Sequence, residues 1–335
     1  MEDNLYNGKN IILKSYNNEI KNEFISFMLN FDKKELSELN ISEINSIDTN
    51  LNPNNIIDII NNKEINFYIL HFNNEIIGLY CLKKKNNNEI NFIIKKDRRN
   101  KGFGKIGLHY LIKELSSSEK DISEYSFTVN KKNIPAILII CGNNGIISKE
   151  TETEYILKIS KDNNVWIHKV FKCDMDKILK ITDSAKKLLK SNGSLQWQQG
   201  YPNEETFLND IKNGNLYGLY EDNDLKAYGC YLYGLDVNYV EIDGKWDIPA
   251  NEKDMAIHRV AVDENCHGKK YGVKMLSYGI QYAKKLGCVT VKVDTHKNNI
   301  PMQKCIQKCG FVYKGIIKIL RDKLDNLRLA YEIVL

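Results

Sequence analysis

A short basic loop, set between a strand-like and a helix-like segment, is the part of this sequence best suited to chemistry. Residues 260–262 read Val-Ala-Val, a strand-type run, and the polar residues 267–272 follow. Beyond them, apolar residues recur every three or four positions, as on one face of a helix: Val273, Leu276, Ile280 and Ala283. The first N–H groups of a helix lack internal partners, and its dipole attracts negative charge. The stretch therefore predicts an anion site, with Lys269 and Lys270 beside it.

The same arrangement occurs earlier in the chain, before a helix-like segment bearing Leu108, Leu111, Ile112 and Leu115. Without a gap, Arg99 falls on His267, Gly102 on Lys270, and Gly104 on Gly272. The tripeptide Asn-Ile-Pro also recurs, starting at Asn133 and Asn299. A repeat of about 165 residues is too long for a solenoid and suits a duplicated domain. We expect one domain over residues 1–160 and another over 165–335, joined by a polar linker.

Composition excludes several classes of protein. The 335 residues are 42% hydrophobic, which is typical of a globular chain, and a net charge of +5 gives no reason to expect nucleic acid as a partner. The most apolar window, residues 134–141, is too short to span a bilayer. The first ten residues lack the apolar core of a signal peptide, and the eight cysteines have no disulfide-framework spacing. We therefore expect a soluble, cytoplasmic protein, monomeric or homodimeric, with no membrane partner.

The residues of both loops carry a family resemblance. The run Arg99-x-x-Gly102-x-Gly104 resembles motif A of the GNAT acetyltransferases, whose loop holds the pyrophosphate of acetyl-CoA. The second copy departs from the pattern, with His267 in place of Arg or Gln and Lys270 in place of Gly. The segment from Val289 through Asn299 to Phe311 resembles motif B of the same family.

The resemblance implies an α/β (α+β) fold of two GNAT domains, each a mixed, mostly antiparallel twisted sheet flanked by helices. It also implies acetyl-CoA as cofactor. The positions that it assigns to cofactor binding are Val260, Ala261, Val262, His267, Gly268, Lys269, Lys270, Tyr271, Gly272 and Asn299, together with Arg99, Gly102, Phe103, Gly104 and Asn133. Each asparagine also precedes a proline-started helix, so a capping role alone would explain it.

The catalytic residues are less clearly marked. In GNAT acetyltransferases a Tyr in motif B often serves as general acid. The matching position is Ile306 in the second copy, and Ile140 or Cys141 in the first. The place of the usual Glu base is Ala256, and His258 faces the same side of the strand. His258 is the preferred base because imidazole titrates near neutral pH. A buried structural histidine explains it equally well, Asp294 and Tyr313 are weaker candidates, and a water chain could serve instead.

The acceptor side is more elaborate in the second half. One loop carries Trp197, Gln198 and Tyr201, and residues 236–254 form an insertion without a counterpart in the first half. Aromatic and amide groups suit a pocket for a small amine or a peptide end. We expect acetyl transfer to a primary amine in the second domain. The alternative is a CoA-binding sensor or scaffold in which one or both copies have lost turnover.

Two further patterns fall short of a dinucleotide site and of a metal site. Residues 102–107 match GxGxxG, but three antiparallel-type strands precede them, unlike a Rossmann unit, and the glycines could simply permit a tight turn. Cys305 and Cys309 lie one helical turn apart, but they lack the CxxC spacing of zinc sites, so we expect no metal.

Overall fold

The chain folds as two compact units. The computed structural model describes residues 10–41, 44, 51–322 and 325–335; the polar start of the chain, residues 1–9, lies outside them. Contacts divide the chain into two units, residues 1–164 and 165–335. No helix among the described residues is long and apolar enough to cross a membrane.

The first unit is a seven-stranded sheet with helices. Its strands run in the order β1-β2-β3-β4-β5-β7-β6, and among the described residues only β4 and β5 pair in parallel. Its elements are β1 (Ile11–Ser15), α1 (Lys21–Met28), α2 (Lys33–Ser37), α3 (Pro53–Ile60), β2 (Ile65–Phe72), β3 (Glu75–Lys83), β4 (Glu89–Ile94), α4 (Phe103–Ser118), β5 (Glu124–Asn130), α5 (Ile134–Gly142), β6 (Ile146–Glu150) and β7 (Glu154–Ser160).

The second unit repeats this order and adds one short strand. Its sheet runs β11-β14-β15-β13-β12-β10-β9-β8, with β12 and β13 as the parallel pair. Its elements are β8 (Val165–Lys169), α6 (Met175–Ser191), α7 (Glu204–Lys212), β9 (Leu216–Glu221), β10 (Asp224–Tyr233), β11 (Asp243–Gly244), β12 (Asp254–Val262), α8 (Tyr271–Leu286), β13 (Thr290–Thr295), α9 (Ile300–Lys308), β14 (Val312–Lys318) and β15 (Leu327–Val334).

These sheets confirm the predicted fold class. Each unit is a mixed, mostly antiparallel sheet flanked by helices, and each has its parallel pair at the same point in the order. Helix α8 buries Met275, Leu276, Ile280 and Ala283 and packs against β10 and β12, as its apolar spacing predicts. The helix ends at Gly287, whose φ of +72° suits glycine.

A bulge opens the sheet of the second unit. Strands β12 and β13 pair only from Asp254 to Ile257, opposite residues 290–293. Beyond that point β12 carries an extra residue relative to β10, and Arg259 has a left-handed φ of +53°. Such a bulge bends the strand away from its neighbour. His258 and Asp294 are the first residues past the last pair, one on each diverging strand.

The insertion, residues 236–254, covers one end of this sheet. Tyr239 and Trp246 from the insertion pack with Ala256, Ile317 and Ala330 in a small hydrophobic core. Strand β11 also belongs to the insertion, and it extends the sheet by pairing with β14. The insertion is therefore an ordered part of the second unit and not a loose loop.

A buried lysine fastens the insertion to the sheet. Lys292 is 0% exposed, and its Nζ lies 2.6 Å from Asp254 Oδ2 and 3.4 Å from Glu332 Oε1. Glu332 also accepts the backbone N–H of Asp247 at 2.7 Å, and the ammonium faces the Trp246 ring. Two buried carboxylates thus share one buried cation.

Lys292→Ala is expected to lower the free energy of unfolding by about 3–5 kcal/mol, because it leaves both carboxylates buried without their partner. Urea denaturation of the full chain measures the change. Lys284→Ala removes an exposed lysine from α8 and is the matched control, with an expected change within about 0.5 kcal/mol. A loss below about 1 kcal/mol for Lys292→Ala would contradict this account.

Candidate active site

The parting of β12 and β13 opens a cavity of about 1080 Å³ in the second unit. This is the upper end of the size of ligand pockets, roughly 300–1,000 Å³. One wall contains the end of β12, the loop 267–272 and the start of α8. The lining also includes residues of the Trp197 loop, the start of α9, and the turn between β14 and β15. Phosphate-type and amine-type ligands could therefore lie in one connected space.

The basic loop lines this cavity as a helix start should. His267, Gly268, Lys270, Tyr271 and Gly272 all contribute to the lining. Lys270 has a left-handed φ of +62° immediately before α8, at the position that Gly102 occupies in the first copy with a φ of +84°. A lysine there carries the strain that glycine avoids, and it adds a cation beside the free N–H groups of the helix.

Lys269 does not contribute to the cavity lining. Its Nζ lies 2.9 Å from Glu221 Oε2, so its charge already has a partner on β9. Of the two lysines predicted for the anion site, Lys270 lines the cavity and Lys269 does not.

The remaining predicted cofactor positions of the second unit are arranged around the loop. Val260, Ala261 and Val262 line the cavity from β12. Asn299 lines it from the start of α9 and accepts the backbone N–H of Met302 at 3.3 Å, so it is a helix cap facing the cavity.

His258 is hydrogen-bonded to one carboxylate and lies near a second. The residue is 9% exposed and lines the cavity. Its Nε2 lies 2.6 Å from Asp236 Oδ2, and its Nδ1 lies 3.8 Å from Asp294 Oδ1, which is beyond hydrogen-bonding distance. The Tyr239 ring stacks on the imidazole, and its hydroxyl donates to Asp294 at 2.9 Å. The insertion thus supplies both Asp236 and Tyr239.

The ionised state of Asp236 sets the direction of its hydrogen bond with His258. Burial alone would raise the pKa of the Asp236 carboxyl, but the hydrogen bond and charge of His258 and the donors of Asn238 hold that pKa well below its ordinary value. An ionised carboxylate can only accept a hydrogen bond. The bond must therefore be donated from Nε2–H, and a neutral His258 carries its lone pair on Nδ1.

Two predicted residues lie away from this cluster. Tyr313 is 51% exposed on β14, packs edge-on against Tyr331, and does not line the cavity. Gln198 donates to the backbone oxygens of Lys186 and Gln196, so it shapes its loop from within. Trp197 and Tyr201, the other two residues predicted for the acceptor pocket, line the cavity.

Several lining groups were not predicted from the sequence. Arg259 follows His258 and forms a two-bond ion pair with Asp210 on α7, at 2.9 and 2.8 Å. Arg321 lines the cavity from the turn after β14. The sequence offered one indication of a role for Arg259, its charge within an apolar strand. Nothing in the residue spacing indicated that Asp236 contacts His258.

The corresponding loop of the first unit is packed differently. Arg99 donates to Glu35 at 2.9 Å and to the Ile94 backbone oxygen at 2.8 Å. Phe103 is buried against Phe72, and a Cβ on Gly104 would come within 2.7 Å of Ile139. Gly104 has no left-handed φ, whereas Gly102 has a φ of +84°.

Asn133, the last predicted cofactor position of the first unit, caps α5 by accepting the N–H of Ala136 at 3.2 Å. All eight cysteines are free thiols. Within the described residues, no three His, Cys, Asp or Glu side chains are grouped to hold a metal ion.

Comparisons with known proteins find acetyltransferases, and one of them gives the residues matched. The model of the Acetyltransferase (GNAT) family matches residues 182–311. Streptothricin acetyltransferase from Escherichia coli is 24% identical over 95 residues, which cover 28% of this chain and 52% of that protein. The chain thus spans about half the length of this curated relative.

Solved structures of similar proteins include two acetyltransferases. A GNAT acetyltransferase from Streptococcus agalactiae is 28% identical, with 51% of this chain and 95% of that one covered and a TM-score of 0.46. An acetyltransferase from Salmonella typhimurium, solved with its cofactor acetyl-CoA, is 16% identical, with 51% and 94% covered and a TM-score of 0.40. The resemblance to the GNAT acetyltransferases is thus confirmed for residues 182–311 of the second unit.

Proposed function

We propose that this protein transfers the acetyl group of acetyl-CoA to a primary amine, and that the reaction takes place in the cavity of the second unit. The observation that carries the proposal is the position of His258. It lies at the divergence of β12 and β13, bonded to Asp236, in the same cavity as the basic start of α8. A positioned base and an anion site thus share one space.

The residues present fit acetyl-CoA. The N–H groups at the start of α8, with Lys270 and His267, would bind the diphosphate, and Asn299 and the end of β12 would contact the pantetheine arm. When bound, acetyl-CoA supplies the activated acetyl group. Gly272 has no side chain at the helix start. An added Cβ would lie 3.2 Å from Cys305 Sγ, which is a crowded contact.

Within the second unit, His258 acts as the general base. Asp236 accepts Nε2–H at 2.6 Å and so leaves the Nδ1 lone pair for the proton of the acceptor amine. Once Nδ1 is protonated, the imidazolium lies between the Asp236 and Asp294 carboxylates, which stabilise its charge. Tyr239 keeps Asp294 in place through its hydroxyl.

The first unit supports the alternative role, that of a copy without turnover. Its loop arginine is bonded to Glu35, and the gapless alignment of Arg99 with His267 puts the buried Ile90 in the place of His258. An isoleucine cannot accept a proton. We therefore assign turnover to the second unit and a binding or scaffold role to the first.

Acetyl-CoA is expected to raise the melting temperature of the full chain. A ligand that binds only the folded state stabilises it by about 2.7 kcal/mol at 100 times its Kd. For domains of this size, that corresponds to a shift of roughly 5–10 °C. A thermal melt with and without millimolar acetyl-CoA measures it. An unchanged melting temperature would remove the basis of the proposal.

A further inference from the structure

A buried ion pair fixes one aromatic ring in the wall of the cavity. The Arg259 guanidinium bonds both Asp210 oxygens and donates through Nη1 to the Tyr201 hydroxyl at 2.5 Å. The side chains of Arg259 and Asp210 are each 6% exposed. Because its charge is matched by Asp210, Arg259 acts here as a support for Tyr201 and not as a free cation.

Arg321 stacks on the Tyr201 ring that this ion pair supports. Its guanidinium carbon lies 3.8 Å from the centroid of the Tyr201 ring. Stacking engages the face of a guanidinium and leaves its in-plane N–H donors available. The other two arginines of the cavity are matched, Arg259 by Asp210 and Arg328 by Asp322 at 2.7 Å. In the described part of the chain, no carboxylate pairs with Arg321.

The turn that carries Arg321 is tied to the Trp197 loop. Asp325 accepts the backbone N–H of Leu195 at 3.0 Å, and Gln199 donates to Asp322 at 2.8 Å. The stacked arginine therefore belongs to an organised wall, although the residue as a whole is exposed.

The charge of Arg321 also acts on the group of side chains around His258, which contains Asp236, Asp294 and Tyr239. Burial raises the pKa of the Tyr239 hydroxyl well above its ordinary value, while the charge of Arg321 acts in the opposite direction. That hydroxyl is the one bonded to Asp294. Because it stacks on Tyr201, Arg321 lies beside the Trp197 loop, whereas Lys270 lies at the start of α8.

We propose that Arg321 determines acceptor specificity by binding a carboxylate of the acceptor, so that the substrate is a primary amine that also carries a carboxylate. This inference rests on the proposed acetyltransferase function. Carboxylate is the natural planar partner of a guanidinium, which binds it through two parallel N–H donors. Amino acids and peptides with a free carboxylate are the class that fits.

The test compares acceptors in matched pairs. A series of ω-amino acids of increasing length and their carboxamides is offered to the full chain with saturating acetyl-CoA, and free thiol release gives kcat/KM. For at least one length, the wild type is expected to prefer the acid by about 10- to 100-fold, the value of a charge-assisted pair. Arg321→Gln is expected to abolish this preference, so that the acid and the carboxamide of each length are used with equal kcat/KM.

Two control variants sharpen the comparison. Arg321→Lys keeps the charge and is expected to retain part of the preference. Lys318→Gln makes the same change of charge on the exposed end of β14, outside the cavity, and is expected to retain all of it. Because each variant is compared by its acid-to-amide ratio, differences in the intrinsic reactivity of the amines cancel.

The outcomes separate the two proposals. Equal use of acids and amides by the wild type, or a preference that survives in Arg321→Gln, overturns the role of Arg321 and leaves the acetyltransferase function standing. Weaker acetyl-CoA binding by Arg321→Gln, measured by calorimetry, also overturns it by assigning the residue to the cofactor. If no amine is acetylated while acetyl-CoA binds, the acetyltransferase function itself fails.

Discussion

His258→Ala is expected to lower kcat by roughly 10²-fold or more while leaving the affinity for CoA intact, because it removes the proton acceptor and not the cofactor contacts. Thiol release and calorimetry measure the two quantities. Asp236→Asn should act in the same direction, since an amide no longer fixes the proton on Nε2, which lies 2.6 Å from the Asp236 carboxylate.

The control for this experiment is Tyr313→Phe. That hydroxyl lies outside the cavity, so turnover should stay at the wild-type level. A His258→Ala protein that retains most of its turnover would show that water accepts the amine proton, and His258 would then be a structural residue.

Gly272→Val is expected to reduce kcat/KM at least about 10²-fold, since a displacement of 1 Å in a bound substrate can cost that much. Even a Cβ at this position lies 3.2 Å from Cys305 Sγ, and a branched side chain would also crowd the helix start at which the diphosphate would bind. Steady-state kinetics and CoA calorimetry on a protein shown to be folded by circular dichroism measure the effect.

The matched variant lies in the other copy. Gly104→Val also introduces a crowded side chain at a helix start, against Ile139, and it should leave turnover in place because the first unit has no base at the position of His258. A folded Gly272→Val protein with the wild-type rate, or loss of turnover in a folded Gly104→Val protein, would reverse the assignment of the two units.

The sequence sufficed for the features that rest on local periodicity. The spacing of apolar residues predicts α8, and Asn before Ile-Pro predicts the caps of α5 and α9. The duplication predicts that the two sheets share one strand order, which the structure has. These features depend on neighbours in the chain or on comparison of the two halves.

The parts that could not be predicted depend on contacts between distant segments. Asp236 meets His258 only because the insertion folds over the sheet, and the bulge at Arg259 is visible only in the pairing of β12 with β10. Tyr313 is suitable by residue type, but it is exposed on β14 and does not line the cavity. Lys269 has the charge of an anion ligand, but Glu221 on a distant strand pairs with it.

The most direct test of the central claim is the rate at which the intact wild-type chain releases free thiol from acetyl-CoA in the presence of a panel of primary amines, with the acetylated product identified by mass spectrometry. This account predicts thiol release that requires an amine, yields the matching N-acetyl product, and disappears in Gly272→Val. Acetyl-CoA binding without amine-dependent thiol release from any member of the panel would contradict it, and would favour a CoA-binding protein without turnover.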